Sequence, residues 1–121
     1  MTADDLLDRL GHTLNAHRWA VLPTLLHPEF TCLLVHTGER FDRDEWVRFN
    51  ADYPGFLTYE VRERVCAGDR AAARAHVTGL VDGEVRHFEV AEFVTARDGL
   101  IVELVEVWAD VDQSPPDRGS R

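Results

Sequence analysis

Apolar residues near the amino terminus recur at helical spacing. Over residues 4–17 they fall three or four positions apart, which predicts an amphipathic helix with one apolar face. A second, shorter helix is predicted over residues 18–26, because Pro23 suits the first turn of a helix. Residues 42–45 read Asp-Arg-Asp-Glu, a pattern typical of a capping box, and they predict a third helix that ends near Ala51.

The rest of the chain alternates between apolar and polar residues, a period that is typical of β-strands. An Asp-Gly dipeptide stands at positions 82–83 and again at 98–99, and it favours a tight two-residue hairpin. Three helices followed by a run of strands predict an α+β fold, with the helices packed on one face of an antiparallel sheet. The strands are predicted over residues 30–36, 58–66, 70–81, 84–97 and 100–111.

The two hairpins determine which residues of the last three strands are neighbours, because a two-residue turn leaves little freedom of register. The first hairpin pairs His76 with Glu89, and the second pairs Ala91 with Glu106. Side chains alternate between the two faces of a strand, so these pairs share one face. That face is rich in ionisable groups: it carries Arg74, His76, Thr78, His87, Glu89, Ala91, Phe93, Leu104, Glu106, Trp108 and Asp110.

The opposite face of the same strands is an apolar stripe. If the polar face lines a pocket beneath the helices, the stripe becomes an outer surface suited to a protein partner. The inverse assignment stays open from the pattern alone, with the stripe beneath the helices and the polar face in solvent. A bulge in any of the long strands would also reverse part of the assignment. The stripe consists of Val77, Phe88, Val90, Val105 and Val107.

Composition excludes several classes of function. The chain has 121 residues, which suits a single domain, predicted over residues 1–111, with a disordered tail over 112–121. The formal net charge is −9, which disfavours nucleic acids and anionic membrane surfaces as partners. All 13 basic residues are arginines, so lysine-based covalent chemistry is excluded. The acidic amino terminus has no apolar signal segment, and a cytoplasmic location is expected.

Cofactor and metal chemistry find little support in the sequence. Cys32 and Cys66 lack the C-x-x-C spacing and are expected to be buried thiols. No phosphate-binding glycine loop and no nucleophile elbow is present, and no cofactor is expected. His36, His76 and His87 could approach one another, but their spacing does not demand a metal ion, so no metal site is predicted.

Four short segments, taken in order, resemble one known superfamily. They are the helix end Leu14-Asn15-Ala16, the strand start His27-Pro28-Glu29-Phe30, the helix start Phe41-Asp42-Arg43-Asp44, and the closing segment over residues 98–103. Together they resemble the nuclear transport factor 2-like superfamily, which includes SnoaL-like polyketide cyclases and ketosteroid isomerases. The resemblance covers residues 6–110.

The resemblance implies a cone, in which three amino-terminal helices cap a strongly curved antiparallel sheet around a central pocket. It also implies binding of a small organic molecule and a homodimer formed through the outer sheet face. It therefore favours the polar face as the pocket lining and the stripe of Val77, Phe88, Val90, Val105 and Val107 as the dimer surface.

Catalytic residues transfer poorly from this superfamily. The positions of the ketosteroid isomerase base, tyrosine and second acid fall on Leu34, Leu10 and Ala91, so that chemistry is rejected here. SnoaL-like cyclases resemble this chain better, since their acid on the last strand matches Glu106. Their histidine on the preceding strand falls near Ala91, so that partner is missing.

The leading hypothesis is a small-molecule-binding protein with acid/base chemistry in its pocket, and the alternative is a non-catalytic binding or assembly module. Glu106, His76 and Glu89 are the candidate acid/base residues, because a carboxylate opposite an imidazole orients it and raises its basicity. Arg74 would steer charge. His76–Glu89 and Arg74–Glu106 could equally be structural pairs. The further candidate ligand-binding residues are Leu34, His36, Tyr53, His87, Phe93 and Trp108.

Overall fold

The computed structural model describes residues 1–119, and within them two α-helices, one short 3-10 helix and a six-stranded sheet form the fold. The helices are α1 (Ala3–Asn15) and α2 (Arg43–Asp52), and the 3-10 helix spans Leu22–Leu25. The strands are β1 (Leu26–Leu34), β2 (Glu39–Asp42), β3 (Phe56–Ala67), β4 (Arg70–Val81), β5 (Glu84–Arg97) and β6 (Leu100–Asp110).

Both α-helices begin at capping boxes. The Asp42 carboxylate accepts a hydrogen bond from the Glu45 backbone N–H at 2.9 Å, and Glu45 accepts one from the Asp42 N–H at 2.9 Å. Thr2 and Asp5 form the same reciprocal pair at the start of α1. Each box satisfies N–H groups that the first turn leaves without partners, and the predicted start of α2 is confirmed.

The predicted second helix is wrong. Residues 18–26 form only the four-residue 3-10 turn, since α1 ends at Asn15 and β1 already begins at Leu26. His17 adopts a positive φ of 53°, which ends the helical path, and Leu26 is extended. The fold therefore carries two α-helices rather than three.

The sheet order is β2-β1-β6-β5-β4-β3. Every neighbouring pair is antiparallel except β1 and β6, which run parallel, so the purely antiparallel sheet expected from the sequence is wrong. The chain leaves β1, crosses to the far edge at β3 and then returns strand by strand. The last strand, β6, therefore lies beside β1 and runs in the same direction. The four-residue strand β2 is not among the strands predicted from the sequence.

Both Asp-Gly hairpins form as predicted, with positive φ angles of 52° at Asp82 and 54° at Asp98. The register of the first hairpin is also confirmed, because His76 pairs with Glu89. The register of the second is shifted by one residue beyond its turn.

A bulge in β6 causes this shift. Ala96 pairs with Ile101 and Thr95 pairs with Glu103, so Val102 is an extra residue on that strand. Everything beyond Val102 is displaced by one position, and a one-residue displacement moves side chains to the opposite face. Glu106 therefore pairs with Glu92 rather than with Ala91, and Trp108 shares its face.

The helices cover the apolar face of β4 and β5, so the face assignment favoured from the sequence is wrong for these two strands. Val77, Phe88 and Val90 lie inside, where burial removes them from water. Val105 and Val107 lie on the outer face, because the bulge reverses the pattern of β6. The predicted dimer stripe is thus divided between the two faces.

The core lies between the sheet and the helices. It is built from leucines of α1 and the 3-10 turn, together with the inward residues of the sheet. No described helix is both long enough and apolar enough to cross a membrane. Residues 111–119 form no helix or strand, and the last two residues of the predicted disordered tail lie outside the described part.

Candidate functional site

The curved sheet and the helices enclose a cavity of about 380 Å³. Its walls are largely aromatic, and it reaches from the buried centre of the sheet to a mouth near Tyr53 and Asp110. Among the described residues, seven aromatic side chains line it: Trp46, Phe49, Tyr53, Phe56, Tyr59, Phe88 and Trp108. Volume and lining are typical of a site for a small organic molecule.

Two carboxyl groups lie deep in this cavity. Glu92 on β5 and Glu106 on β6 are direct cross-strand neighbours, with exposures of 1% and 7%. Both line the cavity, and its described lining contains no arginine. Two acids thus share an interior without a basic partner, and such an arrangement opposes ionisation of both.

Burial raises the pKa of Glu92 to about 7, and the nearby Tyr59 hydroxyl opposes part of this rise. Burial also raises the pKa of Glu106 well above its usual range, and the charge of Glu92 raises it further. Contacts with Cys32 and Trp108 act in the opposite direction. The pair therefore retains a proton at neutral pH and presents one carboxylic acid beside one carboxylate.

Several polar atoms around the pair are free to meet a ligand. Among residues 1–119, the Tyr59 hydroxyl, the Trp46 Nε1–H and both oxygens of Glu92 have no hydrogen-bond partner. The Cys32 thiol donates a weak hydrogen bond to Glu106 Oε1 at 3.8 Å, and burial raises its pKa, so it stays protonated. Unpaired buried polar groups are costly, and a bound molecule would satisfy them.

The end of α1 holds Tyr59 in place. The Asn15 side chain accepts a hydrogen bond from the Tyr59 backbone N–H at 2.7 Å and donates one to its carbonyl at 2.6 Å. This reciprocal contact ties α1 to β3. The Trp46 ring packs against Phe30 with centroids 5.3 Å apart, which fixes the opposite wall.

Half of the predicted site residues lie at the cavity. Glu106 lies at its centre beside Glu92, not beside Arg74 as predicted. The others are Leu34, His36, Tyr53 and Trp108.

The remaining predicted site residues lie on the outer face of the sheet, because β4 and β5 turn their apolar sides inward. Arg74 bonds to Glu63 at 2.8 Å and also to Glu89, so the predicted Arg74–Glu106 pair does not form. The His76–Glu89 pair does form, at 2.6 Å, but in a surface network. The residues placed outside are Arg74, His76, His87, Glu89 and Phe93.

The His76 ring also contacts His87, with 2.9 Å between Nε2 and Nδ1. His36 lies at the cavity, so the three histidines do not converge. Across the described chain, no group of three or more potential metal ligands has a geometry suited to an ion.

Sequence reasoning missed Glu92, although a signal for it exists. Residues 90, 92, 94 and 96 share one face of β5, and Glu92 is the one acid among the apolar residues Val90, Val94 and Ala96. If that face packs on the core, Glu92 is a buried acid. Tyr59 and Trp46 carry no comparable signal, since aromatic residues at such positions usually serve the core alone.

Solved structures share this architecture. One from Kribbella flavida DSM 17836, provisionally described as a ketosteroid isomerase, is 28% identical, with a TM-score of 0.80 over 94% of this chain and 82% of that chain. Wild-type IdmH from Streptomyces antibioticus, provisionally described as a polyketide cyclase, is 23% identical, with a TM-score of 0.72 over 87% and 90%. An LEH-like epoxide hydrolase from M. tuberculosis is 11% identical, with a TM-score of 0.75 over 87% and 80%. The last two likenesses establish the fold alone.

Sequence comparison gives the family. Among curated proteins none matches this chain. Residues 7–104, however, match the SnoaL-like domain family, and this match spans most of α1, all of α2 and the buried Glu92, but ends before Glu106. The resemblance drawn from short segments is thereby confirmed, and the chain belongs to the SnoaL-like domain family within the nuclear transport factor 2-like fold.

Proposed function

We propose that this protein binds a small, largely apolar organic molecule in the cavity and moves a proton on it through the Glu92–Glu106 pair. The observation that carries the proposal is a buried, unpartnered Glu92 beside a second buried acid in an aromatic cavity. Similar proteins described as an isomerase, a cyclase and an epoxide hydrolase support an enzymatic role without selecting a reaction.

The two acids have different roles because they differ in how easily they ionise. Glu92 loses its proton near neutral pH and serves as the base, while Glu106 keeps its proton longer and serves as the acid. The Tyr59 hydroxyl and the Trp46 N–H, on two residues that line the cavity, would donate hydrogen bonds to a substrate oxygen. This arrangement replaces the Glu106–His76–Glu89 hypothesis, because His76 and Glu89 lie outside the cavity.

Ring opening of 5-nitrobenzisoxazole tests this proposal without knowledge of the natural substrate. A carboxylate removes the ring C–H proton, the electron pair forms a nitrile, and the N–O bond breaks to give a coloured nitrophenolate. We expect the wild-type rate to rise as pH increases through about 7, where Glu92 ionises. Glu92→Gln should lower kcat/KM by about 10²-fold.

Glu89→Gln is the matched control, since it makes the same change on the outer face of the same strand. We expect it to leave the rate unchanged. Equal losses in both variants, or no loss in Glu92→Gln and Glu106→Gln, would contradict the proposal. Binding of the probe without turnover would favour the non-catalytic binding module.

We also propose that two copies associate through the outer sheet face, as in the dimers that the resemblance implies. An apolar row crosses five strands in register there, and the Val65 and Phe93 side chains on it are 78% and 45% exposed. Exposed apolar residues gathered in one patch are typical of an interaction surface. The row consists of Val65, Ala72, Phe93, Val105 and Leu33.

A cytoplasmic location stays a prediction.

A further inference from the structure

The charges in the cavity are of one sign. Glu92, Glu106 and Asp110 belong to its described lining, which includes no arginine, and the chain has no lysine. His36 at the rim is the one basic side chain in that lining. A carboxylate or phosphate ligand would therefore lose its hydration without gaining a counter-charge, and that loss is costly.

Glu92 has no charged partner in the described chain, and only the nearby Tyr59 hydroxyl opposes the rise in its pKa. Its two oxygens have no hydrogen bond, and its neighbour across the strands is another acid. If both groups ionise, they repel each other at close range. A positive group placed between them would remove the repulsion and supply hydrogen-bond donors to both.

The aromatic walls favour the same kind of ligand. Phe88 and Trp108 meet edge to face with their centroids 6.5 Å apart, and Phe49 and Tyr53 meet in the same way at 5.6 Å. All four rings line the cavity. The faces of aromatic rings attract cations, most strongly where water is excluded, and they also pack against the apolar part of a molecule.

We propose that the ligand of this cavity is a small organic amine, held as its ammonium ion by Glu92 and Glu106 while its apolar part packs against the aromatic walls. This inference rests on the proposed function and names its substrate class. The ammonium group neutralises one carboxylate, which leaves the other free to move a proton elsewhere on the molecule.

Binding should then depend on pH. The titratable groups facing Glu92 are Glu106 on β6, Tyr59 on β3 and Cys32 on β1, with His36, Tyr53 and Asp110 at the rim. The helices contribute only non-titratable side chains to this lining. Because the ammonium ion prefers ionised carboxylates, its binding should release a proton and strengthen as pH rises from 5.5 to 8.

Three molecules with one ring system and different charges test the proposal: 2-naphthylmethylamine, 2-naphthylmethanol and 2-naphthoate. Titration calorimetry on the full chain at pH 8 should give the amine an affinity about tenfold above that of the alcohol, with the carboxylate weakest. Glu92→Gln and Glu106→Gln should each reduce the preference for the amine and keep binding of the alcohol. Glu89→Gln should preserve the preference.

The possible results separate this inference from the proposed function. Equal or tighter binding of the alcohol, with benzisoxazole turnover intact, overturns the amine and leaves the proton-transfer function standing. Binding of the amine that does not strengthen between pH 5.5 and 8 in the wild-type protein also overturns it, and this measurement requires no variant to fold. Failure of all three probes to bind, without turnover, overturns both.

Discussion

At the scale of single residues, Glu92 is costly to the fold whenever it is charged. It lies on β5 between Ala73 of β4 and Glu106 of β6, and its carboxyl group has no hydrogen bond within residues 1–119. The folded chain therefore prefers the protonated form, whereas the unfolded chain ionises this group at its ordinary pKa. Because Glu92 destabilises the folded protein when it is charged, we infer that this residue serves the function rather than the stability of the protein.

This preference predicts the direction in which the free energy of unfolding changes with pH. The pKa of Glu92 is raised from 4.5 to about 7, so its stabilising effect is complete below the lower value and is lost as pH rises through the upper one. The loss amounts to about 3 kcal/mol of unfolding free energy. Glu92→Gln stays uncharged, and we expect it to be more stable than the wild type at pH 8 but not at pH 4.

Urea unfolding at the two pH values gives this comparison, and Glu89→Gln is its control. Hydrogen bonds from Arg74 and then His76 lower the pKa of Glu89, so its contribution is lost on acidification, in the opposite direction. A Glu92→Gln variant with the same pH dependence as the wild type would show that Glu92 ionises freely in the folded protein.

At the scale of elements, the bulge at Val102 decides what the cavity contains. The hairpin turn alone would place Val102 opposite Thr95 and turn Glu106 to the outer face. One inserted residue restores Leu104, Glu106 and Trp108 to the interior. A bulge also bends its strand, which suits a sheet that curves around a cavity.

Deletion of Val102 therefore has an unusual expected result. Without this residue, Ile101 is followed by Glu103, and the default hairpin register coincides with the native pairing of Glu92 and Glu106. We expect the deletion variant to fold and to keep its pH-dependent benzisoxazole turnover. Deletion of Val105 should instead misplace Glu106 and abolish turnover, because it reverses the strand beyond that point.

Far-ultraviolet circular dichroism and the turnover assay check both deletion variants. Loss of fold on deletion of Val102 alone, with Val105 dispensable, would mean that the bulge itself rather than the register holds β6.

The bulge also marks the limit of sequence reasoning for this protein. The Asp-Gly turns, the capping box at Asp42 and the bounds of β4 and β5 could be predicted, because each depends on local chemistry. The bulge could not, since Val102 suits a regular strand equally well and only packing against β1 and β5 selects the irregular one.

At the scale of the whole molecule, the choice between the two sheet faces lies beyond any local pattern. The surface network of Arg74, His76 and Glu89 is polar enough to suggest a site, yet its members satisfy one another in solvent. Among the described residues, Glu92 and Glu106 are the two buried acids, so the face with fewer charged groups carries the candidate chemistry. The face with more ionisable residues was predicted to line the pocket, and for β4 and β5 this prediction is wrong.

The outer face offers a test at this scale. Phe93→Glu places a charge in the centre of the exposed apolar row, and we expect it to convert a dimer into a monomer in sedimentation analysis. Val21→Glu is the matched control, since Val21 is 40% exposed in the segment between α1 and the 3-10 turn. A wild-type protein that sediments as a monomer contradicts the proposed association.

The parallel pairing of β1 with β6 has a consequence for synthesis. Strand β1 completes its hydrogen bonds only with β6, so the sheet stays open until β6 has been translated. The hairpins of β3, β4 and β5 join residues close in sequence and can form beforehand, whereas β1 has no β6 to pair with at that stage. Since Glu106 lies on β6, closure of the sheet and assembly of the acid pair are a single event.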